Sequence, residues 1–304
     1  MHLSTSPPML PVHHRKGPLQ FEASAAASTS NRHGSRGGRQ REAYDDDDDE
    51  AESLGEVWAQ SLPLMRPFLR RAFLFNQMDF ETALDEMLSL CLGQPGRVFK
   101  LAYYRKQTKD RWSRDDPAFA VLQVAFLLAA TVATGAALRA RLALTYVYLA
   151  IAATLVHWLA CGLAATTLHA WIANKFLRER GWSHSVDQKV EWLYAFDVHC
   201  NAFFVYFVCA YVAHFFLLPV SLGHSFLAML VANAIHASAF SAYFYITHLG
   251  FRALPYLRRT EVFLYPVLFA ALLFALSIVL GVLGIKLNAA RIAIAAVVAP
   301  LTLY

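Results

Sequence analysis

Cysteine is scarce in this chain, and the spacings that would make it useful are missing. Four cysteines stand among 304 residues, Cys91, Cys161, Cys200 and Cys209, with no CxxC pair. That excludes the usual thiol redox and cysteine zinc motifs. His157 and Cys161 are four apart, but two ligands do not make a zinc site, and His169, His214, His236 and His248 are scattered singly. There is no HExxH, no phosphate loop, no Ser/His/Asp arrangement and no cysteine-rich acyltransferase signature. Paired interrupted helices, the mark of many ion-coupled transporters, are absent too. The polar first 60 residues hold no apolar core of a signal peptide. No catalytic residue, cofactor or metal is expected from these patterns.

The other shortage is charge. Only 16% of residues are charged against 57% apolar, and the charges avoid long tracts. Residues 118–138 give 21 without a charge, 142–174 give 33 and 262–285 give 24. Residues 192–251 give 60 with one formal charge, Asp197, and break at the turn-forming Pro219-Val-Ser-Leu-Gly223. A helix needs about 20 apolar residues to cross a hydrocarbon core of about 30 Å. Core helices of soluble domains keep a polar face, and none is visible here. The expected fold is all-α, a polytopic bundle of five transmembrane helices.

Charge also orients the bundle. The block from Arg97 to Asp116 carries seven Lys and Arg. The loops on that same side add Lys175, Arg178, Arg180, Lys189, Arg252, Arg258 and Arg259, whereas the far side has Arg139, Arg141, Lys286 and Arg291. By the positive-inside rule this places the N-terminus in the cytosol and the C-terminus in the lumen, with the first span acting as its own insertion signal. The expected parts are a disordered tail over 1–60, a cytosolic helix and collar over 61–117, the membrane domain over 118–285 and a lumenal tail over 286–304. Residues 1–60 are rich in Ala, Ser, Gly and Pro, with an acidic run from Asp45 to Glu50. Without them the balance rises to 21 basic against 12 acidic residues.

From Leu64 to Leu92 apolar residues recur at three- and four-residue steps, which predicts a helix with Pro67 near its start and the Gly93-Gln-Pro-Gly96 cluster beyond its end. Arg66, Arg70 and Arg71 beside Phe68, Phe73 and Phe75 fit either an interfacial segment on anionic headgroups or a face packed on the bundle. The collar interleaves cations and aromatics: Tyr103, Tyr104, Arg105, Lys106, Lys109, Arg111, Trp112 and Arg114. Such a surface can anchor lipid headgroups, hold an acidic protein partner, or bind RNA by stacking and phosphate contacts. Asp116-Pro117 is suited to cap the first span. Inside the membrane the polar candidates are Asp197 with Asn201 on one helical face, and His199 pointing nearly opposite. They fit a small polar site between spans, an interhelical hydrogen-bond pair, or a partner for Lys189 or Arg252.

Three blocks carry a resemblance. They are Phe75-Asn-Gln-Met-Asp-Phe-Glu81 with Tyr104-Arg-Lys-Gln-Thr-Lys-Asp-Arg-Trp-Ser-Arg-Asp-Asp-Pro-Ala-Phe119, then Val190-Glu-Trp-Leu-Tyr-Ala-Phe-Asp-Val-His-Cys-Asn-Ala-Phe203, and Leu249-Gly-Phe-Arg-Ala-Leu-Pro-Tyr-Leu257 followed by Tyr265-Pro266. In this order, over roughly 66–285, the chain resembles the Unc-fifty family of eukaryotic Golgi membrane proteins. The resemblance implies a five-span Golgi protein with a cytosolic N-terminus and a role in vesicle traffic. Implied partners are a large Arf guanine-nucleotide exchange factor and receptor cargo, with RNA for some members; no enzymatic activity is implied.

Overall fold

A computed structural model of the chain describes residues 54–139, 143–179 and 188–298. The expectation of disorder over 1–60 lies, for 1–53, outside the described residues; from Leu54 onward the chain is helical. Helix α1 spans Leu54–Arg71, α2 Phe80–Cys91 and α3 Pro95–Lys109. Five long apolar helices follow: α4 Ala118–Ala137, α5 Ala143–Leu177, α6 Trp192–Ser221, α7 Phe226–Arg252 and α8 Thr260–Val282. A short helix, α9, covers Ala289–Val298. Each of the five has the length and apolar character to cross a bilayer, so the chain is a multi-pass membrane protein, all-α among its described residues apart from one isolated β-bridge. Starting points and breaks agree with the charge-free tracts to within a few residues.

The segment before the spans departs from expectation. One helix over 64–92 was the reading of its periodicity; the structure divides it into α1 and α2, separated by residues 72–79 with a 3₁₀ turn at Phe75–Gln77. The aromatic run Phe73-Leu74-Phe75 continues the apolar period in sequence but lies exposed at the break. Asp79 creates the new start. Its carboxylate accepts from the Thr82 N–H at 2.9 Å and the Thr82 hydroxyl at 2.6 Å, an N-cap. Pro67, expected at a helix start, lies within α1. The Gly93 turn does end α2, at a positive φ of 71°. The collar is itself a helix up to Lys109, closed by Asp110 in the left-handed region at φ 55°. The cap of the first span is shifted by one residue: the Asp116 carboxylate accepts from the Ala118 N–H at 2.9 Å.

Helix α6 is the axle of the bundle. Fourteen residues between Trp192 and Phe207 are buried, on every face, as befits a helix apolar all round and surrounded by others. Close approach is made possible by glycine. A Cβ on Gly162 of α5 would overlap the His199 ring, and one on Gly250 of α7 would come within 2.7 Å of Val198. Interhelical hydrogen bonds add direction: Trp158 Nε1 donates to Gln123 at 2.9 Å, Gln123 Nε2 to the Cys200 carbonyl at 3.0 Å, and the Tyr194 hydroxyl to the Gly250 carbonyl at 2.6 Å. Helix α8, by contrast, turns Leu268, Leu272, Leu276 and Val279 outward, the side expected to face lipid. Helix α9 is not a loose tail. Asn233 of α7 brackets the turn into it, donating to the Leu287 carbonyl at 2.9 Å and accepting from the Ala289 N–H at 2.8 Å.

Candidate functional site

The start of α4, the end of α5, the start of α6, the end of α7 and the start of α8 share one end of the bundle, here termed the collar end. Residues 110–117 cross it as an irregular segment between α3 and α4. Such a segment must find partners for its backbone groups, and it takes them from α6. Glu191 accepts from the Trp112 N–H at 3.3 Å and from the Ser113 hydroxyl at 3.1 Å. One turn deeper, Asp197 accepts from the Arg114 N–H. The Arg114 side chain follows its backbone inward, where it is 8% exposed. Its Nη2 donates to Oδ1 of the Asn201 side chain at 2.6 Å and lies 2.6 Å from Glu86 of α2; Nη1 is 3.8 Å from Asp197. The guanidinium also sits 4.4 Å over the Phe119 ring. Arg105 of α3 approaches Glu86 at 3.5 Å.

Two cations and two carboxylates thus share one buried cluster. Balance is what makes it tenable, because a lone charge withdrawn from water costs several kcal/mol or more. Burial pushes the Arg105 guanidinium below its ordinary value, with Arg114 adding to the effect. Burial pulls Arg114 the same way, but Glu86 and Asp197 outweigh it and hold the proton more firmly than usual. Asp115, at the surface, is raised by burial and lowered by the Lys109 ammonium at 2.8 Å and by Arg111; the net is a carboxyl below its ordinary range.

The sequence-derived candidates therefore sort into three groups. Arg114, Asp197 and Asn201, read as members of two separate sites, belong to one. Asp197 is served by Arg114 of the collar, rather than by Lys189 or Arg252, the loop cations offered as one alternative. His199 does point away: its Nδ1 is 2.9 Å from the Tyr243 hydroxyl. Trp112 is a second correction. It was expected to offer its ring to a partner or a base, yet it is buried, edge-on to Tyr194 and Tyr256 and tilted against Tyr103. Arg114 is likewise withdrawn from any outer surface, and Arg105 is turned toward Glu86. Tyr103, Tyr104, Lys109 and Arg111 stay exposed and Lys106 half-buried, the two collar lysines pinned by Asp110 and Asp115.

Glu86 escaped sequence reading. A signal existed: it interrupts the apolar stripe Ala83, Met87, Leu90 of α2, where an acid has no reason to be unless a cation meets it. The loops after α5 and α7 are also joined. Arg178 and Leu257 form an antiparallel bridge, with the Arg258 N–H donating to the Leu177 carbonyl at 2.8 Å and the Glu179 N–H to the Tyr256 carbonyl at 2.9 Å. The α1 ambiguity resolves toward packing for Phe68, edge-on to Phe196, while Phe73 and Phe75 face outward. Among the described residues no group of three or more His, Cys, Asp or Glu side chains is placed to hold a metal.

The stapled segments coincide with what the chain shares with known proteins. The model of the UNC-50 family matches residues 68–294. A protein unc-50 homolog of Dictyostelium discoideum is 44% identical over 225 residues, 74% of this chain and 85% of the relative. The human protein unc-50 homolog is 43% identical over 215 residues, 70% and 81% of the two chains. That of Danio rerio is 41% identical over 217 residues, covering 70% and 82%. No solved structure matches at a significant level. With the family model spanning α2 to α9 and relatives matched over most of their own length, this chain belongs to the UNC-50 family.

Proposed function

We propose that this chain is a non-enzymatic scaffold of Golgi membranes that presents its collar end to the cytosol and recruits an Arf guanine-nucleotide exchange factor there, in support of the surface delivery of receptor cargo. The observation that carries this reading is the outer face of α3. Tyr104 is 62% exposed and is flanked by Lys100 and Gln107, also exposed, with Lys106 and Arg111 close by in the chain. The opposite face, Val98, Phe99 and Ala102, is buried. An exposed aromatic among cations on a helix locked from behind is a preorganised docking surface, since aromatic and arginine side chains dominate interface energetics. Asp197 supports scaffold over catalyst, because its carboxylate is committed to the Arg114 backbone and guanidinium. The Lys and Arg bias toward the collar end supports a cytosolic placement.

The test changes the exposed Tyr104 and Arg111 and the half-buried Lys106, as Tyr104→Ala with Lys106→Gln and Arg111→Gln, and leaves the buried cluster intact. Expected is a protein that inserts normally, with stability within about 1 kcal/mol of the parent, but recruits less exchange factor to Golgi membranes at matched expression. Undiminished recruitment would remove α3 from the interface.

A further inference from the structure

Helix α1 precedes the spans in sequence, yet it lies beside them rather than above. Met65, Phe68 and Ala72, spaced for one helical face, share a shallow apolar groove with Val124 of α4, Leu163 of α5 and Phe196 of α6. Val124 is about 9 Å along α4 from its first residue, Ala118. Phe68 meets Phe196 edge-on, one turn inside the start of α6. The chain between α1 and α2 is then fastened twice to the point at which the first span begins. Arg71 Nη1 donates to the Asp115 carbonyl at 3.0 Å, and the Asp79 N–H donates to the Asp116 carboxylate at 2.6 Å. Residues 72–78 are thereby held at the plane where α4 enters the bilayer.

At that plane the chain presents large apolar side chains outward. Phe73 is 80% exposed, Phe75 59% and Leu74 42%. The backbone beneath them is prepared for surroundings without water. The N–H groups of Ala72, Leu74, Gln77, Met78 and Asp79 all have acceptors within the chain, as a segment bordering lipid requires. Arg66 and Arg70 are exposed, one turn apart, on the side of α1 that leads to Phe73. These features point to one occupant. A helix laid on the flank of spans has lipid at its outer side, and outward aromatics at the entry plane match the zone where acyl chains meet headgroups. Guanidinium groups next to that zone match anionic headgroups. We infer that Phe73, Leu74 and Phe75 form a wedge in the collar-end leaflet, with Arg66 and Arg70 meeting anionic lipid headgroups beside it. The inference rests on the multi-pass fold and is independent of any exchange-factor partner.

The experiment uses the full chain in nanodiscs of phosphatidylcholine with a minor share of phosphatidylserine. The photoreactive residue benzoylphenylalanine replaces Phe73 or Phe75 in turn, and Tyr104 of α3 in a control chain, and the adducts formed under ultraviolet light are weighed by mass spectrometry. Phe73 and Phe75 should each give an adduct one phospholipid in mass, and Tyr104 none. Phosphatidylserine should be enriched among these adducts about fivefold over its share of the bilayer, the factor one near-surface cation confers. Arg66→Gln with Arg70→Gln should return it to that share. Unchanged size-exclusion and melting behaviour would show that the variants fold. Should the double variant fail to fold, Arg66→Gln and Arg70→Gln singly replace it, and each should lower the enrichment. Adducts to a second copy of the chain in place of lipid, or a lipid yield at Phe73 and Phe75 no higher than at Tyr104, would overturn the inference. So would lipid adducts with no excess of phosphatidylserine, or an excess that the arginine variants leave unmoved.

Discussion

At Arg114 a full positive charge is buried and faces two carboxylates that lie on different helices. Removing one member of such a group leaves the others uncompensated, at about 3–5 kcal/mol, whereas removing matched partners costs far less. Arg114→Met should therefore lower stability by that amount in a detergent or nanodisc melt. Arg114→Met combined with Asp197→Leu should recover most of the loss, because Arg105 still answers Glu86. Additive losses in the double variant would show that the cluster is not one unit. Asp197→Asn keeps shape and one acceptor, so a loss of about 1–3 kcal/mol is expected, with function retained in the folded protein. Complete loss of function in a folded, correctly localised Asp197→Asn protein would turn the argument toward an intramembrane activity. Asp115 sets a pH limit on the same segment. Its carboxyl lies below the ordinary value in the folded chain, so its contribution is present above the unfolded pKa of about 3.9 and disappears as pH falls through the folded value. Hydrogen-exchange protection of residues 110–117 should hold from pH 7 to 5 and decline below about pH 4. Protection that weakens between pH 7 and 5 would point to a different group.

At the scale of elements, Gly250 and Gly162 decide how near α7 and α5 come to α6. A methyl group at either position meets a side chain locked in the core, Val198 or the His199 ring, so Gly250→Ala and Gly162→Ala should each cost about 1–3 kcal/mol through overpacking. A melting temperature equal to that of the parent would mean that the neighbours give way freely. The spans were legible because a bilayer demands length and lack of charge, and both are properties of a contiguous stretch. The break between α1 and α2 was not, because Phe73, Leu74 and Phe75 prolong an apolar period that the chain does not follow, and the deciding cap, Asp79, looks like any surface acid. Helix α3 was not assigned as a helix because its cations and aromatics drew attention to chemistry, while its buried stripe, Val98, Phe99 and Ala102, is short. The site itself was half legible. Asp197 and Asn201 stand out as polar residues in an apolar tract, and Arg114 stands in a conspicuous basic block. That they meet, 83 residues apart, is information no local pattern carries.

For the whole molecule, the distribution of Lys and Arg over its two ends predicts topology. A tag at the N-terminus should be reached by antibody when only the plasma membrane is opened, and a tag after the last residue only when internal membranes are opened as well. Equal access to both would contradict an odd number of crossings. The loop joint at the collar end is a weaker element than it looks. Arg258 and Glu179 are 2.6 Å apart but largely exposed, so Arg258→Ala should change stability by less than about 1 kcal/mol. The backbone bridge beside it does not depend on that side chain.

The distance in sequence between Arg114 and Asp197 has a bearing on biosynthesis. A ribosome delivers the collar, α4 and α5 before it has made Asp197, so for that interval Trp112 and Ser113 lack Glu191 and Arg114 has only Glu86. Helix α3 itself packs on α2, made earlier, and on α7, where Phe99 meets Gly250, whereas residues 112–114 lack their partners until α6 supplies both acids. Completion of the third span is thereby built into the ordering of residues 112–114. Chains ending at residue 190 should lose the collar to limited proteolysis at sites between Lys106 and Arg114, whereas chains ending at residue 252 should protect them. If both are cut alike, the collar does not wait for α6.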